Sequence, residues 1–214
     1  MKELIILAKD FSVPMALVDF IPVILFLLGG IILIDSLGNK MNKTQFSLFS
    51  SGIIFIVAAG ALKATYKLLY AANICDFDSL NKMFFPTQSI GFLLAGIGLI
   101  LFVIKTKNSN KLLNVAPPVF SGTFLFVGFM CGGLLLMDIA LCILSKKVKK
   151  CSLMILFIIS FVCSLCMGYL SSQDFEQAAM NWIAEGVNVV GQTSFFVGAY
   201  LLRKNGLKEL IIGE

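Results

Sequence analysis

Six apolar blocks, each long enough to cross a bilayer, leave this chain few ways to fold. They run over residues 15–37, 46–72, 86–104, 119–144, 151–171 and 180–202. A transmembrane helix needs about 20 apolar residues. Only 14% of the 214 residues are charged and 58% are hydrophobic, against about 25% charged in soluble domains. The blocks therefore predict an all-α integral membrane protein with six transmembrane helices. Short polar loops join them, and no soluble domain is visible.

The formal net charge of +5 belongs to those loops. It points to lipid head groups and away from nucleic acid. No histidine is present, so His-based metal sites and His general bases are excluded. Five of the six cysteines lie in or beside apolar blocks, so they do not form a disulfide framework. Cys163 and Cys166 make a CxxC within the fifth block without a second pair to exchange with, and read as small buried residues. Phosphate-cradling, hydrolase-elbow and metalloprotease motifs are absent. No cofactor is expected, and the sequence leans away from an enzyme.

Two strings look like copies. Gly29-Gly30-Ile31-Ile32-Leu33-Ile34-Asp35 closes the first block, and Gly132-Gly133-Leu134-Leu135-Leu136-Met137-Asp138 closes the fourth. Asp76-Phe77-Asp78 and Asp174-Phe175-Glu176 follow the second and fifth blocks. Gln88-Ser89 and Gln192-Thr193 belong to the third and sixth. A repeat unit with an odd number of spans enters the membrane the opposite way the second time. The expectation is a 3+3 inverted-topology repeat, a layout common in transporters. Its parts are an N-terminal interfacial segment (residues 1–14), a first three-helix unit (15–107), a central linker (108–118) and a second unit with a short tail (119–214). Alternation puts both termini on one side of a cell membrane, and the excess of basic residues there (Lys2, Lys9, Lys82, the Lys146–Lys150 run, Arg203, Lys204 and Lys208) favours the cytoplasm. The basic loops then conflict, with Lys40, Lys43, Lys105, Lys107 and Lys111 opposite the Lys146–Lys150 run.

Several polar residues fall inside apolar blocks. Lys63, Lys67 and Tyr70 share one helical face in the second block. A lysine near mid-bilayer costs about 2.5–3.5 kcal/mol on insertion scales and usually faces a cavity or partner. Lys63 suits an anionic group or a coupled carboxylate, and equally an ion pair with Asp19. Lys67, nearer its helix end, can snorkel. Asn181, Glu185, Asn188 and Gln192 form a stripe on one face of the sixth block, with Gln88 as a thinner counterpart in the third. Such a stripe must face protein or water. Asp19, Asp35 and Asp138 read as gates or ion-coupling groups, the last two at opposite mouths. Pro22 stands where a kink would fall. Gly128 with Gly132, and Gly91 with Ala95, have the spacing of close helix crossings.

Together these features predict a transporter or channel for a small polar or anionic solute. The partners would be the lipid bilayer, a small-molecule or ion ligand, and a second copy or another membrane subunit. The alternatives are a substrate-binding subunit of a larger importer, or a membrane sensor or assembly protein in which the polar residues only fix packing.

Overall fold

The computed structural model describes residues 12–104, 123–170 and 178–210. Helix α1 (Val13–Val18) leads into α2 (Phe20–Leu37), followed by α3 (Lys43–Ala71), α4 (Asp78–Val103), α5 (Thr123–Lys147), α6 (Met154–Leu170) and α7 (Ala178–Leu202). No strand occurs among the described residues. Five helical segments are long and apolar enough to cross a membrane: Val13–Lys40, Lys43–Ala71, Asp78–Val103, Leu125–Lys147 and Cys151–Leu170. The 25-residue α7 has the length as well, but carries the polar stripe. The interfacial segment (1–14) and central linker (108–118) lie wholly or mostly outside the described residues.

Local chemistry explains the ends. Ser12 caps α1, its hydroxyl accepting from the Met15 amide, and Pro14 occupies the first turn, where a missing N–H is harmless. Asn42 and Gln45 form a reciprocal capping box at the start of α3. Helix α4 begins at Asp78, a full two turns before the expected start at Pro86. Asp78 favours a helix N-terminus, and Lys82 pairs with it at 2.8 Å one turn on. Pro86 is accommodated inside the helix, where it lacks the amide that would reach Lys82.

The long helices form a ring in chain order. Each packs on its neighbour in sequence, and α7 closes back onto α2. Phe26, Phe92 and Phe195 meet near the middle. Phe26 stacks on Phe195 at 4.8 Å and meets Phe92 edge-on at 6.1 Å.

The contacts also set helix direction. Gly30 faces Ile53 and Gly60 faces Val23, so α2 and α3 are antiparallel. Gly52 lies on Gly91 and Ala95 while Gly98 lies on Phe49, so α3 and α4 are antiparallel. The expected Gly91/Ala95 crossing is thus realised. Gly198 faces Phe157 and Gly191 faces Cys163, making α6 and α7 antiparallel. Phe85, however, meets Phe126 at 6.5 Å, and further along Gly96 meets Gly133. Helices α4 and α5 are therefore parallel. So are α2 and α7, joined at Gly29–Phe195 and again at Asp35–Arg203.

This geometry corrects the expected inversion. The two three-helix units run in the same sense, up-down-up and up-down-up. The chain leaves α4 at one end of the bundle and enters α5 at the other. Ser12 and Leu210 lie at opposite ends of the bundle. The upper end, where α2 and α7 finish, gathers Lys40, Lys43, Lys146, Lys147, Lys149, Lys150, Arg203, Lys204 and Lys208. Among the described residues the lower end has only Lys82 as a basic group outside the interior, already paired with Asp78. The conflict in loop charge was a product of assumed alternation.

The Gly128/Gly132 motif does not make a crossing. A side chain at either position would meet nothing within 4 Å. Gly133 does that work instead, lying against the backbone of Phe92 and Leu93.

Candidate functional site

Polar side chains converge at the lower end, where α1, α2, α3, α4 and α7 approach one another. Pro22 lacks the amide that would bond the Val18 carbonyl, and the regular helix is interrupted between Val18 and Phe20. Asp19 occupies the interruption and is only 7% exposed. Its carboxylate meets Lys67 Nζ at 2.6 Å. Lys67 thus turns inward to a buried partner, where the sequence allowed it to snorkel to the surface.

Lys63 lies one turn away on the same face. Its ammonium sits 4.3 Å from the centroid of the Phe84 ring of α4, an attractive cation–π geometry. Its field is shared with Lys67, Asp19 and Glu185. Glu185 enters from α7, buried, hydrogen-bonds with Asp19 and lies within the electrostatic reach of both lysines. Its Oε1 has no hydrogen-bond partner. Two ammonium groups and two carboxyl groups therefore share one interior volume. Lys63 does form part of an ionic assembly with Asp19, but the close pair belongs to Lys67.

Other predicted residues surround this group. Asn181 is buried one turn before Glu185. Asn188 and Gln192 continue the same face, half-buried, towards the phenylalanine cluster. Gln88 is half-buried on α4, one turn beyond Phe84. Tyr70 stacks obliquely on buried Tyr66 at 6.2 Å. The stripe on α7 thus turns into the bundle, while Trp182, Ile183 and Val190 are exposed on its outer side. Phe26, Phe92 and Phe195 bound the polar region from above.

Sequence reasoning missed Phe84 and Tyr66. Phe84 precedes the third apolar block, which begins at Pro86, and so lies outside the spans that hydropathy marks. The signal was present in Asp78 and Lys82, an i,i+4 pair suited to a first helical turn. Tyr66 stands three residues after Lys63 and one before Lys67, which puts it on the flank of their face.

The aspartates expected at opposite mouths lie towards the same end. Asp35 is half exposed and bound to Arg203 at 2.8 Å and Lys208 at 3.4 Å. Close by, Lys40 Nζ donates to the carbonyls of Leu207 and Leu210 at 2.7 and 2.9 Å. Asp35 thus ties the chain beyond α7 onto the end of α2. Asp138 sits in α5, 6% exposed, and neither carboxyl oxygen has a hydrogen-bond partner among the described residues. It is remote from the Lys63 group and belongs to a separate groove.

Among the described residues no group of three His, Cys, Asp or Glu side chains is placed to hold a metal. The cysteines among them are free thiols, with Cys163 half-buried and Cys166 exposed on α6. Comparisons with family models, curated proteins and solved structures found no match to this chain.

Proposed function

We propose that the chain is a membrane transporter for a small polar solute, recognised by the lower polar cluster. The observation that carries this reading is the convergence of Asp19, Lys63, Lys67 and Glu185 beside an interrupted helix. Buried ionisable groups in a membrane interior are expensive, and they mark solute and ion pathways. The equal number of cationic and carboxyl groups favours a solute that is zwitterionic, or polar and uncharged, over a simple anion. Asn181, Asn188, Gln192 and Gln88 supply hydrogen-bonding groups along the approach.

In this reading α7 is the sixth span, and the two three-helix units form a tandem repeat of like sense. Parallel repeats related by an axis along the membrane normal are a known transporter plan. Three pairs share one sequence offset: Gly29 with Gly132, Asp35 with Asp138, and Phe92 with Phe195. The basic upper end then faces the cytoplasm of a cell membrane by the positive-inside rule.

The test is thermal unfolding of the detergent-purified protein against amino acids, organic acids, vitamins and inorganic ions. A ligand that binds only the folded state raises the melting temperature by mass action. The expected result is a shift for one class of solute that Lys63→Met and Glu185→Gln each abolish. If no solute shifts the wild type and both variants are merely less stable, the cluster is a packing device.

A further inference from the structure

Asp138 is a buried carboxyl that the polar cluster does not use. It lines a groove of about 260 Å³ between α5 and α6. The rest of the lining is apolar apart from Cys142 and Lys146, with Leu135, Ile139, Ile158 and Phe161 forming much of the wall. The groove opens on the outer surface of the bundle, where Leu135, Ile139 and Ile158 are themselves exposed. A carboxyl with both oxygens unpartnered is costly inside protein, because it has lost water and gained nothing. Stranded polar groups of this kind call for a partner outside the chain. Each surrounding element bears on what that partner is. On α5, Cys142 is a weak donor one turn away, and Lys146 lies two turns away with its side chain exposed. From α6 the groove receives only Met154, Ile158 and Phe161, none of which carries charge. Helix α4 contributes only backbone where it meets Gly133.

We propose that this groove binds a small amphiphilic amine, with the ammonium on Asp138 and the hydrocarbon body along Leu135, Ile139, Ile158 and Phe161. A protonated amine supplies several N–H donors and the complementary charge, which together satisfy both oxygens. An alkyl body matches the apolar wall and reaches it from the lipid phase. The site is separate from the Lys63 cluster, so it stands whether or not that cluster carries a solute.

The test uses dicyclohexylcarbodiimide, a lipid-soluble carboxyl reagent, on the full chain in detergent. The carboxyl O–H adds across one C=N bond, and the O-acylisourea rearranges to a stable N-acylurea that keeps every atom. Peptide mass spectrometry then reports modification at Asp138. Dimethyldecylamine is the probe, because a tertiary amine cannot divert the O-acylisourea to an amide, and decanesulfonate of equal chain length is the control, because a sulfonate does not consume the carbodiimide. Labelling of Asp138 is expected to slow by about tenfold once dimethyldecylamine stands at about ten times its Kd, because the free fraction falls as 1/(1 + [L]/Kd). Decanesulfonate should leave the rate unchanged. A thermal shift with dimethyldecylamine should be present in wild type and lost in Asp138→Asn. Absence of labelling at Asp138, equal slowing by decanesulfonate, or an undiminished thermal shift in Asp138→Asn would each overturn the proposal.

Discussion

At the lower end of the bundle Asp19 and Lys67 meet at 2.6 Å with 7% and 13% of their side chains exposed. At the upper end Asp35 and Arg203 meet at 2.8 Å with 47% and 41% exposed. The distances are nearly equal, and the consequences are not. In the lower pair each charge has given up water and depends on the other. In the upper pair both groups keep their hydration, and water and salt screen what passes between them. Asp138 is a third case, as buried as Asp19 but with no hydrogen-bond partner among the described residues. The comparison separates a costly interior assembly from a surface clasp that holds the chain end in place.

The largest effect is expected from breaking the lower pair on one side. Lys67→Met leaves the buried Asp19 carboxylate without its close partner and with only the more distant Lys63 ammonium, which should cost up to about 3–5 kcal/mol. Asp19→Asn combined with Lys67→Met should recover most of that loss. Unfolding in mixed micelles would measure both. A single-variant cost no larger than that of a surface pair would break the distinction between the ends.

Next come the adjacent glycines of α5. A side chain at Gly133 meets the backbone of Phe92 and Leu93, and backbone cannot rotate away. Gly133→Ala should cost about 1–3 kcal/mol as the parallel α4/α5 contact opens. Gly132→Ala meets open space, so the better helix former should be neutral or favourable by up to about 1 kcal/mol. The same unfolding assay tests both, and equal effects would argue against the parallel packing of α4 and α5.

Replacing Asp138 should move stability the other way. Asp138→Leu removes an unsatisfied buried group and should gain about 1–2 kcal/mol. A loss of stability in the amine-free protein would mean that the carboxyl is satisfied within the bundle. The smallest effect belongs to the upper clasp. Asp35→Asn should cost about 0.2–1 kcal/mol at low salt, shrinking as ionic strength rises. A salt-independent loss would show that the clasp is more buried than its exposure indicates.

Much of the secondary structure was legible before any packing was known. Span limits from hydropathy agree with the helices within a few residues, except at Pro86. The inward face of Asn181, Glu185, Asn188 and Gln192 follows from a spacing that leaves no tolerable lipid-facing alternative. The pairing of the charges was not legible. Lys63 and Lys67 are equivalent on a helical wheel, and only the position of α4, with Phe84 beneath one ammonium, distinguishes them. The roles of Gly132 and Gly133 were likewise undecided, because a small-residue motif names a surface without saying which helix approaches it.

The amino-acid order alone determined that this chain builds long apolar helices with a few ionisable groups turned inward. Those properties follow from the bilayer-like length of each apolar block and from the energy of placing charge in hydrocarbon. Tertiary structure decided the sense of the second unit, the partner of each charge and the isolation of Asp138. Hydropathy along a helix has magnitude but no direction. The direction came from contacts such as Gly96 on Gly133 and Asp35 on Arg203, which join residues far apart in the chain.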